Sequence, residues 1–379
     1  MQVPSRILYG GRSGAPLALI AATAAVTLLF SSTPFLIAPI AERFDVSEGL
    51  VGAISMVQVG AFAAVNFVFP RLLRPNGRIL RAAAITLVAF NLLSAIAPSF
   101  VVLVAMRTVA GAAAGTMTWL AWTNAMKRTS SMSSIAATGP VTALLAAPLM
   151  SILAGYGDRV VFLVLALAAV PASVLIAPIT GKRRPRGVLS GSRSNRVLLA
   201  SLFGATFFGS ALFINQSIVA RDIHDLSALA SSIGFSLNAL GGLIGARLSS
   251  RHRYPGWFMV SIGPAALLSV IGPPVMFYVG FFWWGFAFWM AIPGVLQMLV
   301  DRSLEPSERA GDGQGVLALG RAAGPALGGA FVDNGALTAL AATTAIGVAI
   351  AGVSIVGVKE GRDRLPATDP RTLDQQDDE

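Results

Sequence analysis

Twelve apolar stretches follow one another along the 379-residue chain, each close to or longer than the roughly 20 residues a helix needs to cross a hydrocarbon layer. They cover residues 15–40, 50–69, 79–97, 100–126, 135–153, 160–179, 197–220, 226–248, 257–275, 277–300, 313–332 and 336–358. Such a pattern leaves one kind of fold. Lipid offers no water to the backbone, so each crossing must satisfy its N–H and C=O groups internally, and a helix does that. Composition agrees: 55% of residues are hydrophobic and 12% charged, about half the charge of a soluble domain. The 39 Gly and 21 Pro are spread through the apolar stretches, where small residues let helices approach and proline is tolerated. The first stretch is too long for the apolar part of a signal peptide, and Pro34 and Pro39 stand where a cleavage site would be, so a retained helix is expected.

The charges are arranged as a topology signal. With both termini placed on the cytoplasmic side, 23 of the 28 basic residues fall in inside segments. The outside loops hold only Arg43, Arg159 and Arg221, and Arg107 and Arg321 lie within helices. Basic loops are retained in the cytoplasm, so this asymmetry supports an even number of crossings and a multi-pass protein of the plasma (inner) membrane. The formal charge of +10 is then read as contact with anionic lipid headgroups rather than with nucleic acid.

A polar, basic stretch at residues 181–196 divides the chain. The expected organisation is a first six-helix bundle at 1–180, a cytoplasmic linker at 181–196, a second bundle at 197–358 and a charged tail at 359–379 expected to be disordered. Ala147-Pro148 late in the fifth helix is echoed by Gly324-Pro325 in the eleventh. Such internal similarity suggests duplicated repeats with a solute site between them at the bilayer midplane.

Several motifs carry a resemblance. Arg107-Thr-Val-Ala-Gly111-Ala-Ala-Ala-Gly115 fits the R-x-x-x-G-x-x-x-G pattern of the fourth helix of the major facilitator superfamily, and Gly324-Pro325-Ala-Leu-Gly328-Gly329 resembles its antiporter motif G-P-x-x-G-G. Gly157-Asp158-Arg159-Val160-Val161-Phe162 resembles the G-W-R-x-x-F start of helix six, and Asn76-Gly77-Arg78 matches the end of the loop motif between helices two and three. That loop departs from the family at its acidic position, held here by Arg74, and at its leading glycine, held by Pro70. The resemblance implies an all-α membrane protein, twelve transmembrane helices in two pseudo-symmetric six-helix bundles, working as a secondary transporter of the bacterial drug and sugar efflux type. It also implies that Gly77 and Arg78, Gly111 and Gly115, and Gly324, Pro325, Gly328 and Gly329 act in packing and gating. The latch that the missing acid would serve must be rebuilt or absent.

An ionisable side chain at the bilayer centre costs about 2.5–3.5 kcal/mol on insertion scales and marks a functional site by default. Arg107 lies roughly 10 Å deep, counting 1.5 Å per residue, and Arg321 lies close to mid-membrane. For Arg107 two readings stand: a packing residue bonded to carbonyls or to Asn and Gln, or a group that meets substrate or couples protons. For Arg321 a cavity role competes with snorkelling. All 18 Asp and Glu lie in connections, helix ends or the tail, so no span centre offers a carboxylate to carry a proton. This favours an anionic solute or titration of Asp301 or Asp312 at the inner mouth.

Gln58, Asn66, Asn124, Asn215, Gln216, Asn238 and Gln297 are polar residues in spans, each able to bind a ligand or bridge two helices for about 0.6 kcal/mol. Asn215 and Gln216 are preferred as ligand-binding, because helix seven lines the central cavity in the family the chain resembles. Helix ten is rich in aromatics, of which Phe286 and Trp289 are candidates to line an apolar cavity beside Trp119 and Trp122. An enzyme is not expected: the two histidines, His224 and His252, fall on opposite sides of the bilayer, no metal-ligand set or phosphate loop is present, and no cofactor is implied. Absence of cysteine excludes disulfides and thiolate metal sites. The expectation is a monomeric exporter of a small organic solute, with protons or a counter-ion as partner. An anion-linked exchanger or uniporter is the alternative, as is a channel or a membrane scaffold without transport.

Overall fold

The structure is a computed structural model that describes residues 15–125, 129–179, 193–248, 254–301 and 306–360. These form fourteen helices: α1 (Leu17–Ser31), α2 (Thr33–Phe44), α3 (Glu48–Leu72), α4 (Gly77–Ala95), α5 (Phe100–Ala125), α6 (Thr129–Ala154), α7 (Asp158–Val174), α8 (Arg193–Phe213), α9 (Gln216–Asp222), α10 (Ala228–Leu248), α11 (Pro255–Ile271), α12 (Pro274–Asp301), α13 (Pro306–Asp333) and α14 (Leu337–Glu360). They resolve into twelve spans because α1 with α2, and α8 with α9, are each one interrupted crossing. Nine described helices meet the length and hydropathy of a span unaided, counting α8 and α9 as one, and the bent pair α1 and α2 makes a tenth. The 17-residue α7 and α11 complete the set.

The two breaks have different causes. After Ser31 the chain turns by 52°, with Pro34 in the first turn of α2, where its missing N–H and fixed φ disfavour continuing the preceding helix but suit starting a new one. At the end of α8 no proline intervenes. Instead the Asn215 side-chain amide donates to the Ala211 carbonyl four residues back, at 2.8 Å, so a side chain competes with the backbone ladder. Spans one and seven are therefore both interrupted, but only span one bends by more than 40°. The linker expectation shifts slightly: residues 193–196 already belong to α8, and residues 181–192 and the tail from 361 lie outside the described residues.

Packing follows a duplicated plan. Within the first bundle α3 packs on α5, α4 on α7, and α1 on α5, α6 and α7; within the second, α10 packs on α12, α11 on α14, and α8 on α13 and α14. Between the bundles α3 meets α13 and α6 meets α10, which is one contact repeated by the pseudo-two-fold exchange of the halves. Each bundle has its own apolar core, the first around Leu19, Leu87, Leu120 and Phe162, the second around Leu202, Met259, Val295 and Leu340. Large exposed side chains such as Val101, Leu145, Leu167 and Ile350 form the outward surface that lipid would cover.

The bundle has a basic face, where Arg74, Arg78, Arg193, Arg196 and Arg247 stand at helix ends, and a far face carrying Arg43, Glu48, Arg221 and Asp222. Several hydrogen bonds between the halves run from the midplane toward the far face. Ser236 donates to the Leu144 carbonyl at 2.9 Å and Ser217 to the Pro34 carbonyl at 3.1 Å. Arg221 grips the Glu48 carboxylate with both terminal nitrogens at 2.9 and 3.1 Å. Beneath that pair Phe35 of the first bundle meets Phe235 of the second edge-to-face at 5.3 Å, and Phe235 continues into a buried cluster with Phe213 and Phe281.

Candidate functional site

The two intramembrane arginines have the same charge and opposite surroundings. Arg107 is 2% exposed, enclosed within the first bundle. Its Nε donates to Gln58 Oε1 of α3 at 2.9 Å, and Nη1 donates to Asn91 Oδ1 at 2.8 Å and Ser94 Oγ at 3.2 Å, both of α4. The guanidinium carbon also lies 5.1 Å from the centre of the Phe162 ring of α7, a cation–π contact. Four spans meet on this one side chain. No acid shares the site, so its positive charge is met by neutral acceptors and a ring face.

The local sequence explains how the residue gets there. Arg107, Gly111 and Gly115 recur every four residues and share one face of α5. A side chain at Gly111 would strike the Gln58 carbonyl, and one at Gly115 the Phe62 carbonyl, so the glycines bring α5 against α3 closely enough for Arg107 to reach Gln58. At Gly157 the backbone takes φ +97°, a value that favours glycine, and this turn starts α7. Asp158 beside it is buried and accepts from Arg43 at 2.7 Å, which ties span six to span one on the far face.

Arg321 stands elsewhere. It lies nine residues past Asp312 and twelve before Asp333, the two ends of its span, hence near mid-depth. On α13, Gly324 and Gly328 pack against the backbone of α8, while Gly329 and Pro325 face Gly49 and Gly52 of α3 in the other bundle. At about 100° per residue, Arg321 falls between these two contact stripes, whereas Leu319, 45% exposed, lies on the lipid side. The Arg321 side chain is exposed and therefore faces the space between the bundles. Its guanidinium lies 5.7 Å from the centre of the Phe288 ring of α12, and no carboxylate pairs with it among the described residues.

The remaining candidates are distributed rather than gathered. Gln216 is fully buried and donates to Ser269 Oγ of α11 at 3.1 Å, inside the second bundle. Asn215 is 5% exposed and spends its amide on the helix break. Trp119 is buried in the first bundle, edge-on to Phe69, and half-buried Trp122 packs on the same core. Phe286 pairs with Phe258 and Trp283, and Trp289 sits over Gly242 beside Phe288, all in the second bundle. Among the described residues no ring pair joins the two groups. Gly77 opens α4 behind the Asn76 cap, whose Oδ1 accepts from the Ile79 N–H at 2.9 Å, and Arg78 is exposed on the basic face.

Three groups escaped the sequence reading. Asn91 and Ser94 complete the Arg107 cage, and their signal was the polar interruption of the third span. The Glu48–Arg221 pair had no local signal, because 173 residues separate its members.

Comparison with known proteins accords with this architecture. The family model of the Major Facilitator Superfamily matches residues 18–329. No curated protein matches the sequence. Solved structures with a similar fold include a bacterial homologue of the human lysosomal transporter Spinster in an inward-facing, occupied conformation, at 15% identity and TM-score 0.64, covering 95% of this chain and 96% of that one. The human organic anion transporter MFSD10 (TETRAN) aligns at 16% identity and TM-score 0.66 over 93% and 100% of the chains. The nucleoside transporter NupG aligns at 13% identity and TM-score 0.66 over 90% and 99%. Twelve spans in two six-helix bundles, a family motif on α5 built around Arg107 and a family match over most of the length make this chain a member of the Major Facilitator Superfamily, a membrane transporter and not an enzyme.

Proposed function

We propose that the protein carries a small organic anion across the plasma membrane by alternating access of its two bundles, with Arg321 as the group that engages the negative charge. One observation carries the reading: a guanidinium at mid-depth, open to the space between the bundles and without a carboxylate partner among the described residues. A charge held at that depth is costly, and an anionic solute offsets it. Arg107, bonded through Nε and Nη1 to three acceptors, holds α3, α4, α5 and α7 in register rather than meeting the solute. Export is the direction that the Gly324–Gly329 resemblance supports, with both termini in the cytoplasm as the basic face implies.

The test is counterflow in proteoliposomes loaded with unlabelled solute, comparing aromatic and aliphatic carboxylates with their neutral amides. Wild type is expected to accumulate a labelled carboxylate and not its amide, and Arg321→Gln to lose the carboxylate signal at least tenfold. Equal handling of acid and amide, or full activity in Arg321→Gln, would overturn the reading.

A further inference from the structure

The break in span one leaves a small cavity inside the first bundle, lined only by residues of α1, α2, α3, α5 and α7. Its volume is about 20 Å³, room for one small, nearly spherical species. Most of the wall is Leu, Ile, Val and the Phe162 ring, and no acid lines it. Its polar lining is Ser32, Thr33, Ser55, Gln58 and Arg107, three hydroxyls, an amide and a guanidinium, all able to donate. Because Gln58 gives its oxygen to Arg107, its amide nitrogen must point elsewhere. Gln58 Nε2, Ser55 Oγ and Arg107 Nη2 bond no protein atom among the described residues, and none is among the buried polar atoms sealed off without a partner. All three belong to cavity-lining residues that are 5% exposed or less. Ser32 spends its proton on the Leu29 carbonyl and adds only lone pairs.

We infer that this cavity is a binding site for a small monatomic anion, chloride under cellular conditions, held by Arg107, Gln58 and Ser55 as the resident counter-ion of Arg107. A cation is excluded by the guanidinium. Water would fill the space but leave the charge uncompensated among apolar walls, where an unpaired charge is unfavourable. A bulky polyatomic anion such as gluconate exceeds the space. The site belongs to one bundle, so it is independent of the solute site proposed at Arg321.

The experiment is thermal unfolding of the purified full chain in sodium chloride, bromide or gluconate at constant ionic strength. Anything that binds only the folded state raises the melting point and saturates. Chloride and bromide are expected to give a saturable rise over gluconate. Gln58→Glu, which places a carboxylate beside Arg107, is expected to melt alike in chloride and gluconate, and Ser55→Ala to raise the half-saturating chloride concentration several-fold. A wild-type melting point equal in chloride and gluconate means that water fills the cavity and overturns the inference. So does a chloride response in Gln58→Glu as large as in wild type. Should Gln58→Glu fail to fold, unchanged half-saturation in Ser55→Ala overturns it equally.

Discussion

At the scale of single residues, the contrast between Arg107 and Arg321 shows that depth does not set a side chain's role. Both lie within spans of similar length, yet one is bonded to three acceptors and the other is exposed between bundles. For Arg107 the partners on α3 and α4 matter more than the charge itself. Gln58→Leu removes the acceptor of Nε, and a lost hydrogen bond to a charged group costs about 1.5–3 kcal/mol. Equilibrium unfolding in mixed detergent micelles is expected to show a destabilisation of that order. A change below about 0.5 kcal/mol, within the scatter of an ordinary surface substitution, would mean that the cage does not hold the helices. Gln58 was legible beforehand as a polar residue in a span, but its pairing with Arg107 was not, since 49 residues separate them.

Among the elements, the glycines of α5 and α13 determine which helices touch. Gly111 lets α5 lie on the α3 backbone inside one bundle, whereas Gly329 faces Gly49 across the interface, where an added Cβ would come within 3.1 Å of the Gly49 carbonyl. Substitution at the two positions should therefore separate stability from transport. Gly111→Val overpacks a bundle core and is expected to lower stability by about 1–3 kcal/mol. Gly329→Val obstructs only the interface between the bundles, so under the proposed mechanism counterflow is expected to fall several-fold with the melting point nearly kept. Equal loss of stability in both variants would show that the interface is as static as the core. The helix spans themselves were read correctly to within a few residues, because apolar length is a local property. The breaks at Ser32 and Asn215 were not foreseen, since a single proline or a single back-bonding amide decides them within an otherwise uninterrupted apolar run.

For the whole molecule, the family's acid on the loop between spans two and three is replaced by Arg74, while the Glu48–Arg221 pair joins the bundles on the far face. Both partners are partly solvated, with side-chain exposures of 52% for Arg221 and 25% for Glu48. Such a pair contributes about 0–1 kcal/mol, enough to bias a two-state equilibrium by up to roughly five-fold and weak enough to open in the proposed cycle. The natural chain has no cysteine, so a single Ala220→Cys, at a fully buried position packed on the first bundle's core, reports opening of the far face through a membrane-impermeant maleimide. Glu48→Gln is expected to speed labelling by up to about five-fold, and the double exchange Glu48→Arg with Arg221→Glu to bring it back. Labelling that ignores Glu48→Gln would remove the latch from the mechanism.

What the sequence determined by itself is the solvent and the number of crossings, because hydropathy is summed along the chain and needs no knowledge of neighbours. The family followed from motifs whose spacing is likewise local. Only the tertiary structure decided that Arg107 is enclosed and Arg321 open, that Trp119 and Trp289 belong to different bundles, and that Glu48 meets Arg221. Each of these depends on which face of a helix is covered by a segment far away in the chain, and the energy of covering it, a matter of close approach and hydrogen bonding between helices, is not written in either helix alone.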